Sequence, residues 1–436
     1  MLYWSWFLHF YQPPTQFPQV TKKISSESYE KILKILQTHK NAYLTVNFSA
    51  SLAEQLVNLG LGKIIDGFAE LAQEGRIEFT GSAAYHPLLP RIPGKEIERQ
   101  IKLNEEINRK YFGPFGKTST MSSVESLRAG FFPPEMAYSP KVGEVVERLG
   151  YKWIILDESA ISGSALRSPT GSPRTQIYLK KSSNLAVFFR NRDLSLKIAF
   201  SGITSVKALM GYFDKEGYNL EEEGYIIAAM DGETFGHHQP RQLQFLEELL
   251  RTHNSEHRTI KFVTVSELLN LFPRRSEIEP KTSSWGDSFK RWDDPKNPIH
   301  RLQWKLYNLA LRVGRAEVAH GNFDSASNSL AKNRLLLNET SRRSQGEASQ
   351  NLWAPRAPFI STRGLLDRAL HSDQFWWASH SPCWHPKMIE RGARMLRDVE
   401  MLDPRVGEKE KRQAQKLYND IILTGRKLYG EEIIPC

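Results

Sequence analysis

The chain has 436 residues, long for one compact core, so a large domain with a smaller second one is expected. Hydrophobic residues make up 40% and charged residues 25% of it, which excludes a disordered chain, and no apolar run approaches the roughly 18 residues of a membrane-spanning helix. The net charge of +10 is dispersed among 49 acidic residues and no nucleic-acid-binding module is recognisable, so the charge is read as solubility.

Met1 to Phe10 lacks a basic leading region and a small-residue cleavage site, and reads as a buried first strand. Further strands are expected over Tyr43 to Phe48, Arg76 to Thr80, Arg128 to Phe132, Lys152 to Leu156, Leu185 to Arg190, Tyr225 to Met230 and Lys261 to Thr264. Between them, apolar positions at three-to-four spacing predict helices over Glu30 to His39, Gly60 to Glu74, Lys95 to Tyr111, Pro140 to Leu149 and Gln242 to Thr252. The alternation is that of an α/β domain over residues 1–272 with a parallel sheet closing towards a barrel, whose reactive groups gather at the carboxyl ends of the strands. Residues 273–298, rich in Pro, Ser, Asp and Lys, read as a connector that packs near the active site through Trp285 and Trp292. From 299 to 436 the pattern is helical: His300 to Ala331, Arg363 to Leu370, Pro386 to Met401 and Lys409 to Tyr429 form a C-terminal bundle, with Asn338 to Asn351 a polar loop. Two cysteines, Cys383 and Cys436, make a disulfide framework unexpected and favour a reducing, cytoplasmic location.

Four segments carry chemistry. His9-Phe10-Tyr11-Gln12-Pro13-Pro14 ends the first strand, and alternation puts His9 and Tyr11 on one face, either a barrel mouth or a core. Ala83 to Pro90 contains Tyr85-His86-Pro87, a strand-to-loop exit or a plain turn. In Gly130 to Tyr138 a lone carboxylate, Glu135, follows an apolar strand and two prolines; it reads as a cleft carboxylate or as an exposed glutamate at a helix start. In Tyr225 to Pro240 Asp231 directly follows a fully apolar strand, ahead of Gly232, Glu233 and the pair His237-His238, although Asp-Gly is also a turn signal. Two lone carboxylates at the ends of different strands suit glycoside cleavage, one attacking the anomeric carbon or activating water, the other protonating the departing oxygen. Asp231, close to Glu233 in apolar surroundings, is the one to hold protonated.

The ordered set resembles glycoside hydrolase family 57: His9 to Pro14, Glu78 to Pro90, Phe132 to Tyr138 and Met230 to His238 are similar to its first four conserved regions, and Leu370 to Trp377 to a fifth. The resemblance implies an incomplete TIM-like barrel of seven β/α units followed by helices, and retaining, cofactor-free and metal-independent hydrolysis or transglycosylation of α-glucans. In that pattern Glu135 is the nucleophile and Asp231 the acid/base. His9, Gln12, His86, His238 and Asp373 contact sugar hydroxyls, and Trp285, Trp376 or Trp377 supply a stacking platform. This chain has Tyr11 where many members carry a second histidine, and Tyr85-His86-Pro87 is similar to the amylopullulanases. Two other readings are carried forward. One is a metal-dependent deacetylase or mannosidase using His9, His86, Asp231, His237 and His238, which would leave Glu135 without a role. The other is a catalytically silent glycan-binding homologue.

Overall fold

In the computed structural model, residues 1–113, 129–161, 174–252, 260–286, 288–319 and 361–434 are described. The expected loop Asn338 to Asn351, the helix beyond Ala319, the strand start at Arg128 and Cys436 lie outside them. The chain divides into two compact units, Met1–Phe289 and Lys290–Cys436.

All eight expected strands form in the first unit: β1 (Leu2–Phe10), β2 (Leu44–Phe48), β3 (Ile77–Phe79), β4 (Gly130–Phe131), β5 (Trp153–Asp157), β7 (Ala186–Arg190), β8 (Gly224–Asp231) and β9 (Ile260–Phe262). Two more, β6 (Ile177–Lys180) and β10 (Arg274–Ile278), were not expected. The stretch read as a connector from residue 273 thus begins with a strand that pairs in parallel with β6. Its sequence, Arg-Arg-Ser-Glu-Ile, lacks the apolar alternation that marks a half-buried strand.

The strands lie in two sheets, β3-β2-β1-β8 with β9 also on β1, and β10-β6-β7-β5-β4, with all pairings parallel except β6 with β7. A parallel bridge, Gly81 to Phe131, joins the edge strands β3 and β4, and the Asn191 amide, just past β7, donates to the Ile227 carbonyl of β8 at 2.8 Å.

The period-two alternation of a strand sorts side chains into two cores. From β1, β2 and β8, the residues Trp4, Trp6, Leu8, Leu44, Val46, Phe48, Ile226, Ala228 and Met230 pack outwards against the helical layer. Their neighbours Phe7, Tyr225, Ile227 and Ala229 meet Trp153, Ile155, Ala186 and Phe188 of β5 and β7 in an inner core. Both faces of these strands are therefore apolar, as parallel strands covered on both sides require.

The second unit contains helices Pro298–Ala319, Thr362–Ala369, Asp373–Trp376, Pro386–Leu402 and Glu408–Tyr429. Cys383 is disulfide-bonded, against the expectation that no disulfide would form. Among the described residues no helix is long and apolar enough to cross a membrane.

Candidate active site

Strand register assembles the first part of the site. His9 pairs with Asn47 of β2 on one side and with Asp231 of β8 on the other, all three at the carboxyl ends of their strands. By parity His9 shares the inward face of β1 with Phe7, and Asp231 that of β8 with Ile227 and Ala229. The same rule aims Asp157 inwards from the end of β5 and Arg190 from the end of β7, and those two are in register with each other. An apolar inner core thus ends in a layer of polar and charged groups.

His9 and His86 are buried and linked in a chain. The Asn47 side-chain nitrogen donates to Thr80 Oγ1 at 3.2 Å, so Asn47 Oδ1, 2.8 Å from His9 Nδ1, is the acceptor and that ring nitrogen carries a proton. His9 Nε2 lies 3.1 Å from His86 Nε2, and His86 Nδ1 lies 3.7 Å from a Glu135 carboxylate oxygen. Tyr11 stacks on His86 at 4.0 Å between ring centroids, and His9 on Phe132 at 4.6 Å. Tyr11 is an aromatic floor for His86.

Glu135 occupies a left-handed backbone conformation, φ 59° and ψ 18°, followed by Met136 at φ 45°. Such conformations cost a non-glycine residue about 1–3 kcal/mol and persist where the surroundings over-determine them. Here the preceding Pro133 and Pro134 fix the approach, and the segment Ser283 to Trp285 pairs with the far side of the turn: Tyr138 and Ser283 form an antiparallel bridge, and the Trp285 amide donates to the Glu135 carbonyl at 3.1 Å. The Trp285 indole Nε1 donates to Glu135 Oε2 at 2.8 Å, while the Arg190 guanidinium lies 5.2 Å from the Trp285 ring centroid. Trp285, expected as a stacking platform, is engaged through its N–H with the carboxylate itself. Trp285→Phe keeps a ring but removes that donor; it is expected to lower kcat about 10- to 100-fold, as loss of a hydrogen bond to a charged group implies. A steady-state comparison decides the point, since a rise in KM with kcat unchanged would assign the ring to stacking alone.

Asp231 leads into a turn, Gly232–Thr234, that buries Glu233. Glu233 Oε1 accepts from Gln12 Nε2 at 3.0 Å and from the Tyr29 hydroxyl. Burial, then the charge of Asp231, pushes the Glu233 carboxyl up to about 8. Gln12, expected to touch sugar, thus has its amide nitrogen engaged with Glu233 and, at 3.2 Å, with Tyr29. His238 donates its backbone N–H to the Glu233 carbonyl, and burial followed by the neighbouring His237 lowers its ring pKa. His237 Nδ1 meets Glu27 at 2.6 Å. Among the described residues, no group of three or more His, Cys, Asp or Glu is placed to hold a metal ion.

Arg190 and Asp157 are both buried and joined at 2.6 Å; Arg192 adds 2.8 Å to the other Asp157 oxygen and 3.1 Å to the Trp285 carbonyl. Arg190 also interacts electrostatically with Asp231. Asn47, Asp157 and Arg190 were not singled out from the sequence, although Asp157 and Arg190 each close an apolar strand, the same signal that identified Asp231.

Asp373, Trp376 and Trp377 belong to the second unit. The segment around them is fastened to helix Pro298–Ala319: His300 Nε2 meets the Phe375 carbonyl at 2.9 Å, Gln303 donates to Gln374 at 2.7 Å, and Trp304 stacks on Phe375 at 4.2 Å. Asp373 lies 3.5 Å from the buried His371; Trp376 packs on Trp292 and under Arg291, and Trp377 is buried.

The model of Glycosyl hydrolase family 57 matches residues 10–281. Alpha-amylase 1 of Dictyoglomus thermophilum is 25% identical over 238 residues, 54% of this chain and 32% of that protein. A 1,4-alpha-glucan branching enzyme of Thermococcus kodakarensis is 24% identical across 63% of this chain and 51% of its own length. The chain spans between about a fifth and a half of the length of the curated relatives it matches. Among solved structures, the GH57-type branching enzyme of Pyrococcus horikoshii has a TM-score of 0.66 at 18% identity, covering 99% of this chain and 98% of that one. The 4-alpha-glucanotransferase of Thermococcus litoralis has 0.64 at 18%, covering 92% and 60%. At such identities these likenesses show the fold.

Proposed function

The chain belongs to glycosyl hydrolase family 57, and from that premise we propose that it cleaves or transfers α-glucosidic bonds with retention, Glu135 being the nucleophile and Asp231 the acid/base. The observation that carries the proposal is the strained, doubly held Glu135: a carboxylate with an indole N–H on one oxygen and an imidazole beside the other is oriented and stabilised as an anion. Glu135 attacks the anomeric carbon while Asp231 protonates the departing glycosidic oxygen, leaving a glycosyl ester on Glu135. Asp231, now ionised, takes a proton from water or from an acceptor sugar hydroxyl as that oxygen displaces Glu135. The relatives support an α-glucan substrate, since those matched are named amylases and a branching enzyme. In this reading the two sheets, bridged at Gly81 and at Asn191, form an incomplete barrel of seven parallel strands, β1 to β5, β7 and β8, with the short β9 paired to β1. His9 and His86 line its mouth.

The test is the anomeric configuration of the first product from maltooligosaccharides, followed by proton NMR before mutarotation. An α product supports double displacement; a β product overturns it. Chain-length redistribution identifies a transferase, and a rise in reducing ends a hydrolase. Asp231→Asn is expected to lower turnover of maltooligosaccharides by about 10²- to 10⁴-fold. The same variant should still be glycosylated by aryl α-glucosides with acidic phenols, which need no proton, and azide should then release a glycosyl azide; undiminished turnover of maltooligosaccharides would remove Asp231 from the mechanism.

A further inference from the structure

The helix from Pro18 to Thr38 is interrupted over Ser25–Tyr29 by a π-helical turn. Such turns are rare, concentrate at functional sites and re-aim the side chains they carry. Here three consecutive residues are aimed at one loop. The Glu27 carboxylate meets His237 at 2.6 Å, Ser28 Oγ donates to the Gly232 carbonyl at 3.0 Å, and the Tyr29 hydroxyl donates to Glu233. Gly236, at φ 106°, passes so close to the Glu27 carbonyl that a Cβ there would collide with it. Every one of these contacts falls on the loop that leaves Asp231.

We propose that the π-helical turn is the positioning element of the acid/base loop and that Tyr29 and Glu233 are its buried fastening, positioning residues that act on substrate only through Asp231. The inference rests on the reading of Asp231 as acid/base. A regular α-helical turn would rotate Tyr29 away from Glu233 by about the 100° that one residue occupies on a helix, taking from the buried Glu233 one of its two side-chain donors and leaving Gln12. Glu233 is 5% exposed, so that loss would be felt.

The pair also sets charge. Burial and then the charge of Asp231 push the Glu233 carboxyl up to about 8; the hydrogen bond from Tyr29 acts the other way. Glu233 therefore ionises most readily while Asp231 holds its proton, and resists ionisation once Asp231 has given it up. The titratable groups around them are Tyr29 and Glu27 on the π-helical turn, His237 and His238 on the loop, His9 beside Asp231 on β1, and Arg190 on β7.

The test uses Tyr29→Phe and Glu233→Gln in the full chain, with thermal melting to confirm folding. Tyr29→Phe is expected to lower kcat on maltooligosaccharides about 10- to 100-fold, as a misaimed catalytic group implies, with KM changed by less than about threefold. Its alkaline limb of kcat should move to higher pH, because the bond that favours the Glu233 carboxylate is gone; in Glu233→Gln, which has no proton to lose there, the limb near 8 should disappear. Both deficits should shrink on aryl α-glucosides with acidic phenols in the presence of azide, where Asp231 has no proton to give or take. Equal loss on every substrate with an unmoved alkaline limb would mean that the turn serves stability alone and would overturn the proposal. So would wild-type kinetics in both variants while Asp231→Asn shows its leaving-group dependence and azide rescue. Should Asp231→Asn be fully active, the acid/base reading fails by itself. If Glu233→Gln does not fold, Tyr29→Phe together with Ser28→Ala, which removes only the bond to Gly232, reads the same outcomes.

Discussion

Glu135→Gln is expected to lower turnover of maltooligosaccharides by about four orders of magnitude or more, the scale seen when a covalent nucleophile is removed. The amide matches the carboxylate in shape. Its oxygen can still accept from Trp285 Nε1, and the left-handed turn after Pro133 and Pro134 is untouched, so folding and substrate binding should persist. What is lost is the electron pair that closes the glycosyl ester. Steady-state kinetics with a thermal-unfolding control measure the effect, and mass spectrometry of wild type quenched during turnover should find the glycosyl group on the peptide bearing Glu135. Residual activity above about 1% of wild type, far more than an amide nucleophile can deliver, would move the nucleophile elsewhere. Glu135→Gly sharpens the contrast, because glycine accepts φ 59° without penalty: that variant should be inactive yet unfold at equal or higher temperature.

The second large effect is on stability. Arg190→Met keeps the length and apolar stem of the side chain but leaves Asp157, fully buried, without its closest cation. Breaking a buried pair from one side typically destabilises by about 3–5 kcal/mol, because the surviving charge remains desolvated. Denaturant unfolding of the variant measures it. The double variant Arg190→Met with Asp157→Asn should recover most of the loss, and failure to recover would place the effect in packing against Trp285. Burial acts to raise the Asp157 pKa, but Arg190, the Ser159 backbone N–H and Arg192 outweigh it and hold the carboxyl below its usual range. A depressed carboxyl contributes its stability fully above the ordinary value of about 3.9 and loses it as pH falls through the folded value. The gap in stability between wild type and Arg190→Met should therefore be widest at neutral pH and narrow in acid, where Asp157 takes up a proton in both.

Much of the fold could be read in advance because the parallel strands are short apolar runs, three of them, β5, β7 and β8, closed by a charged residue. That pattern located β1, β5, β7 and β8 to within a residue or two, and with β8 it located Asp231. It failed at β10, whose side chains are mostly polar, and so put a boundary at residue 272 where the first compact unit runs on to Phe289. The two candidate carboxylates were legible as isolated charges after apolar strands. Their supports were not. Tyr29 and Glu27 lie about 200 residues from the loop they hold, as the separation of 204 between Tyr29 and Glu233 records, and only a π-helical turn aims them there. Nothing in Ser-Ser-Glu-Ser-Tyr announces such a turn, since it arises from tertiary contacts. The family resemblance implies sugar contacts for Gln12 and Trp285, whereas the structure engages their N–H groups with Glu233 and Glu135. Sequence identifies a polar side chain near a site more readily than it identifies the atom to which that side chain donates.

The alternation that places Phe7, Ile227 and Ala229 in one core and Leu8, Ala228 and Met230 in the other makes the chemistry of this domain a matter of odd and even. Along β8 the inward rungs are odd-numbered and end at Asp231. Inserting one residue anywhere between Gly224 and Met230 would swap the two sets: the acid would turn into the oily layer beneath the helices, and a methionine would face the mouth in its place. An insertion of two would restore the parity and lift the carboxylate by one full repeat, about 7 Å along the strand, out of line with His9. Loops of this chain are thus free to vary in length in a way that its strands are not, and the depth of the site is counted out residue by residue in the strands themselves.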